Sequence, residues 1–207
     1  MANANVAKGL IPYRHWDGSP YNGGYNVYFV PSSYATAIFI GDPVDIKSGS
    51  NDSIGTPSVI VGASGSPILG VCVGIVDGGP EGNLVTVTRD LPIYRPASTA
   101  QYIAVVDDPT VLYMVQDDAS SQATAPTLWA GKNANLVSGT GSTVTGFSGW
   151  QLQASSVALT NTLDLKIIRP LQQADNTIGS AANTNMNAKW LVKLNNLRSA
   201  NQTAGIT

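Results

Sequence analysis

Apolar and polar residues alternate in short runs along most of this chain, and the alternation has period two rather than the period of a helix. The runs Asn26-Val27-Tyr28-Phe29-Val30 and Thr36-Ala37-Ile38-Phe39-Ile40 read as strands, each closed by Pro or by Gly-Asp-Pro. Pro67 to Val76 is the most apolar stretch, with Leu69, Val71, Val73 and Ile75 predicted on one face and Gly70, Cys72 and Gly74 on the other. A glycine face predicts close approach of another layer or a barrel bend. Leu84–Thr88 alternates cleanly, and Tyr102–Val106 and Val111–Val115 flank Asp107-Asp108-Pro109-Thr110, a hairpin or a tight corner. The segment Lys47 to Pro57 is polar and is expected to be an exposed loop. Weaker strands are expected around Leu136-Val137 and Trp150-Gln151-Leu152. In Leu163–Ile168, Leu163, Leu165 and Ile167 share a face opposite Asp164 and Lys166. In Lys189–Leu194, Trp190, Val192 and Leu194 share a face opposite Lys189 and Lys193.

Short strands separated by turn signals predict an all-β chain, a sandwich, jelly roll or barrel-like domain. Composition agrees: 19 Val, 14 Ile and 17 Thr suit a pleated surface, and a single Glu leaves little with which to decorate helices. Residues 1–24 carry few alternating apolar positions and a dense turn, Asp17-Gly18-Ser19-Pro20-Tyr21-Asn22-Gly23-Gly24. They are expected to form an extended N-terminal arm outside the sheet, with residues 25–207 as the β domain. The polar connection 117–126 is the candidate internal boundary.

Charge narrows the function. The 207 residues hold 11 Lys and Arg against 13 Asp and Glu, a net −2, which gives no electrostatic reason to bind nucleic acid. One cysteine and one histidine exclude a disulfide framework and multi-ligand Cys or His metal sites. Every apolar run is interrupted well before the ~20 residues of a membrane-spanning helix, and the opening residues lack the pattern of a secretory signal. No cofactor and no membrane association are expected.

Candidate chemistry is sparse. Gly62-Ala63-Ser64-Gly65-Ser66 lacks the final glycine of a nucleophile elbow, and the one possible base, His15, lies far off in sequence. The doublets Asp107-Asp108 and Asp117-Asp118 place neighbouring carboxylates on opposite faces of a strand, so neither makes an acid/base pair alone. Cys72 reads as an inert core thiol. The chain is therefore expected not to be an enzyme. The arm is the unusual segment, because Tyr, Trp and Arg anchor interfaces. Tyr13, Arg14, His15, Trp16, Tyr21 and Tyr25 are the candidate partner-binding residues.

The run Tyr13-Arg14-His15-Trp16-Asp17-Gly18-Ser19-Pro20-Tyr21-Asn22-Gly23, followed by Val30-Pro31-Ser32-Ser33-Tyr34 and Ile40-Gly41-Asp42-Pro43-Val44, resembles a virion protein family of tailed bacteriophages. So do Ile68-Leu69-Gly70-Val71, Tyr94-Arg95-Pro96-Ala97-Ser98, Val105-Val106-Asp107-Asp108-Pro109 and Asn187-Ala188-Lys189-Trp190. These motifs run in order along most of the chain and are similar to those of capsid decoration, or cement, proteins. The resemblance implies a β-fold that binds the outside of the assembled major capsid protein shell at capsomer junctions. It implies partners limited to the major capsid protein and further copies of the chain, as a dimer or trimer, at the outer virion surface. It carries over no catalytic residue. A head-fibre or tail component, or a virion-associated module that binds or hydrolyses glycans, is the alternative. Removal of residues 1–24 is expected to leave a folded β-protein that no longer docks. With so little net charge, docking is expected to depend only weakly on salt.

Overall fold

The computed structural model describes residues 3–77, 79–81, 92–118, 125–181 and 187–200. The predicted strand Leu84–Thr88 and residues 119–124 of the expected boundary lie outside them. The fold is all-β. The early strands, β2 (Asn26–Val30), β3 (Pro43–Asn51), β4 (Pro57–Val61), β5 (Gly70–Val76) and β6 (Gln101–Val106), close into a barrel in the order β2-β4-β3-β5-β6. A five-stranded antiparallel sheet combines β1 (Ile11–His15), β7 (Val111–Gln116), β8 (Asn133–Ala134), β11 (Leu165–Pro170) and β12 (Lys189–Leu194) in the order β1-β7-β12-β11-β8. A two-residue pair, β9 (Leu136–Val137) and β10 (Gln151–Leu152), completes the architecture.

The chain passes from barrel to sheet at Asp107–Thr110. Here β6 pairs with β2 and β5 while β7 pairs with β1 and β12, so this segment is a corner and not a hairpin. That junction, rather than 117–126, is where the architecture changes, and Asp117 itself is fully buried and bridged to Leu152. The two parts share a core. Ile68, Val71 and Val106 from the barrel side pack with Tyr113, Trp129 and Trp190 of the sheet side. Val30, Ile38, Val59, Cys72 and Ile103 fill the barrel.

Three expectations change in the structure. Lys47–Pro57 is largely strand and turn, because β3 runs to Asn51 and returns in β4; Asp52 ties the turn by accepting from the Ile54 and Thr56 amides. Polar residues line that hairpin, so no apolar alternation marked it. Thr36–Ile40 makes only isolated bridges, Ile38 to Arg95 and Ile40 to Phe147. The pattern read across β5 also breaks. A bulge between Cys72 and Gly74 turns Cys72 and Ile75 into the barrel, while Val71 and Val73 face the sheet core. The glycine expectation holds at Gly70, where a Cβ would stand 2.3 Å from the Val106 carbonyl oxygen.

Buried acids serve the backbone. Asp164, expected opposite the apolar face of β11, has no exposure; its carboxylate accepts from the Gly65 and Leu136 amides and the Ser64 hydroxyl. Burial raises its pKa. Burial also pushes Asp42 up to about 6 against the lowering hydrogen bonds from Phe39 and Ser148. Because that value lies above the unfolded one near 4, the folded chain holds the extra proton between the two, and stability falls as pH rises through this window. The melting temperature is therefore expected to rise when pH is lowered from 7 to 5. Asp42→Asn should flatten that rise and add about 2 kcal/mol at pH 7, read by thermal melts across pH. A variant melting profile parallel to the parent's would show that Asp42 does not control it. Asp52 behaves oppositely: burial alone would raise it, but bonds from Thr56, Tyr102 and Ile54 hold it at about 2, so its contribution is lost only in stronger acid.

Candidate functional site

The arm contributes a five-residue strand to the sheet. Ile11–His15 pairs antiparallel with β7, and Leu10 just before it is completely buried in the shared core. The expectation that residues 1–24 lie outside the sheet is therefore corrected, and deleting them would strip a strand from β7. The alternation was hidden because Pro12 and a bulge at Tyr13 interrupt it: Pro12 faces Tyr113, Arg14 faces Leu112, and Tyr13 is the extra residue. Proline suits this edge position, where no sheet partner needs its missing N–H. After Trp16, a turn at Gly18 (φ 92°) brings Ser19 back to accept the His15 amide, and Pro20 bridges Arg14 along the outer edge. Asp17 closes the turn by accepting from the Ser19 amide and hydroxyl, which lowers its pKa.

The six candidate residues divide. Tyr13 and Trp16 are 45% and 56% exposed. Tyr21 packs against the shared core and donates its hydroxyl to the Gly24 carbonyl. Tyr25 is half-buried and, with Tyr21, His15 and Asp108, lines a small cavity of about 190 Å³. His15 Nδ1 lies 3.1 Å from Thr110 Oγ1 and 3.5 Å from Asp108. Arg14 is half-buried, and its Nε has no hydrogen-bond partner among the described residues.

The pairings a hydrolase would need do not form here. His15 meets Thr110 and Asp108, whereas Ser64 donates to the Leu136 carbonyl and lies against Asp164. Asp107 accepts from Asn26 and Tyr28, and Asp108 from Thr110, so each acid holds its own corner. The buried Cys72 thiol is pushed up to about 12 by desolvation, with Asp42 adding to the effect. Among the described residues no group of His, Cys, Asp and Glu is placed to hold a metal, and no helix is long and apolar enough to cross a membrane.

Trp16 opens onto the outer face of the five-stranded sheet, where Lys193 Nζ sits 5.4 Å from its ring centroid. Antiparallel register places Ile11, Met114 and Leu191 side by side on this face, away from Tyr113, Trp190 and Val192 in the core. Leu112, Leu171 and Leu191 form a separate small buried cluster there, with Met114 and Ile168 packed against it.

No family model, curated protein or solved structure matches the chain.

At the other end of the same face, residues 3–9 cross the sheet as an extended strap. The Gln116 side chain mimics a neighbouring strand by donating to the Ala4 carbonyl (2.7 Å) and accepting the Val6 amide (2.9 Å). Asn3 makes the same paired contact with the Thr177 backbone, at 2.8 and 2.9 Å. Between strap and sheet lies a groove of about 770 Å³, floored by Ile11, Met114 and Gln116 and edged by Lys8 and Lys189. Exposed aromatics, cations and groove thus share one surface. Sequence reading found the aromatics and missed the rest, although Lys189 and Lys193 were already visible opposite the apolar residues of β12.

Proposed function

We propose that this chain is a structural protein of a tailed-phage virion, a capsid decoration protein that docks on the outside of the assembled shell. The observation that carries the reading is the pair Tyr13 and Trp16, exposed at the edge of an ordered sheet and held there by a bulge and a closed turn. Pre-ordered aromatics lose little entropy on docking, which is the property of an interface anchor. The resemblance of the sequence motifs supplies the partner, a major capsid protein, and the companions, further copies of the chain as a dimer or trimer. Nucleic acid, membrane and cofactors have no part in this role. The acids and the histidine hold turns and backbone, which supports a binding role without catalysis. The Lys193 ammonium over one face of Trp16 favours a protein partner over a stacked sugar.

Tyr13→Ser/Trp16→Ser tests the reading. The double variant is expected to melt within a few degrees of the parent yet to add to bare heads at least about tenfold more weakly, since each aromatic anchor contributes about 1–2 kcal/mol or more. Parent protein should occupy purified particles at close to one copy per major capsid protein. Full occupancy by the double variant would refute the grip, and a handful of copies per particle would favour a tail or fibre part.

A further inference from the structure

The outer sheet face concentrates positive charge that the net charge of −2 conceals. Five of the chain's 11 Lys and Arg lie on it: Arg14, Lys166, Arg169, Lys189 and Lys193. Register aligns one lateral row across all five strands, Arg14–Leu112–Lys193–Lys166–Asn133. Lys193 and Lys166 are direct cross-strand partners, an arrangement in which like charges repel and destabilise the free sheet. Lys189 is neutralised by Asp175, but among the described residues no carboxylate pairs with Arg14, Lys166, Arg169 or Lys193. The adjacent row, Ile11–Met114–Leu191–Arg169, is mostly apolar. Leu112 and Leu191 are buried beneath this face, so it offers a short basic band beside the half-buried Ile11 and Met114 and the exposed Trp16.

We infer that this face binds an acidic protein surface, whose Asp and Glu side chains settle over the Arg14–Lys193–Lys166 row while its apolar residues meet Trp16. Carboxylates are the groups that remove the Lys193–Lys166 repulsion without adding bulk. A protein partner fits better than nucleic acid for two reasons. The cations form one row interrupted by Leu112 rather than a track along a phosphate backbone, and the acids Asp17 and Asp108 flank Trp16 and His15 at its rim. The inference rests on the proposed function only in using the same docking face; the partner chemistry holds for any particle or protein that meets it. It also replaces the expected weak salt dependence, because docking follows the local charge of the buried face and not the total.

The test uses the full chain and two immobilised probes of matched charge, poly-L-glutamate and double-stranded DNA. Poly-L-glutamate binding is expected at 50 mM NaCl and should weaken about tenfold by 300 mM, as screening of surface pairs requires. Lys166→Gln/Lys193→Gln should weaken it by about tenfold at low salt, the combined effect of two surface charges. Lys47→Gln, which removes a charge from β3 of the barrel, should leave binding near the parent level, with melting curves confirming that both variants fold. Absence of polyglutamate binding, an equal loss in the Lys47 control, or tighter binding to DNA would each overturn the inference. Neither probe involves a phage head, so failure to decorate heads would count against the particle assignment alone.

Discussion

Arg95→Met is expected to cost about 3–5 kcal/mol of stability, seen as a large drop in the urea midpoint, with the variant unfolded in part at 37 °C. The side chain has no exposure, yet among the described residues no carboxylate answers its charge. Instead its guanidinium donates to four backbone carbonyls: Nε to Thr99 (2.8 Å), Nη1 to Tyr34 (2.9 Å) and Thr36 (2.7 Å), and Nη2 to Pro31 (2.8 Å). Its own backbone exchanges both hydrogen bonds with Ile38. One planar fork therefore satisfies the carbonyls of the irregular segment after β2 and locks it to the segment before β6. Methionine fills much of the volume but cannot donate: the Thr36 and Thr99 carbonyls lose their hydrogen bond, at about 1–3 kcal/mol for each that stays buried, while the Pro31 and Tyr34 carbonyls keep the Tyr34 and Ser98 amides. Arg95→Lys keeps the charge but not the fork, and should recover less than half of the loss. A loss below about 1 kcal/mol in Arg95→Met would mean that water takes over the carbonyls.

Trp190→Ala should be at least as damaging, about 4–5 kcal/mol, since truncating a buried tryptophan removes its packing and leaves a cavity. Trp190 is fully buried at the centre of the shared core, stacked on Trp129 with centroids 5.0 Å apart. Its indole N–H donates to Asp117 Oδ2 at 3.1 Å, while Asp117 Oδ1 accepts the Asn187 amide. Alanine thus also leaves a buried carboxylate with one donor fewer. Trp190→Phe keeps a six-membered ring but loses the pyrrole part with its N–H, so it should cost about 1–3 kcal/mol. Calorimetric melts of the two variants separate packing from hydrogen bonding. Equal losses would show that the Asp117 contact, and not the bulk of the ring, dominates.

The two residues differ in how far the sequence announced them. Trp190 stands in strict alternation with Val192 and Leu194, opposite Lys189 and Lys193, and all three apolar residues are buried where that pattern puts them. Arg95 lies between Tyr94 and Pro96 in a stretch without period-two alternation, where a lone charge looks like a surface residue. Its role exists only because segments around residues 31–36 and 95–99 converge, and nothing local signals such convergence. Asp164 misled for the same reason: a carboxylate next to Leu165 reads as solvent-facing until the amides of Gly65 and Leu136 are brought to it. The arm was legible in its aromatics but not in its pairing, because Pro12 and the Tyr13 bulge erase the period by which strands are recognised.

Composition and period-two alternation thus determined the all-β class and the inward faces of β11 and β12, since burial of one side of a strand is written into every second residue. Tertiary structure alone decided the partition into barrel and sheet, the bulge that turns β5 between two cores, and the Arg14–Lys193–Lys166 row. A regularly alternating strand such as β11 or β12 declares which of its residues point outward, but not which strand will lie beside it or in what register. Lys166 and Lys193 are 27 residues apart in the chain and become neighbours only when β11 and β12 pair. The charged face is a property of that pairing.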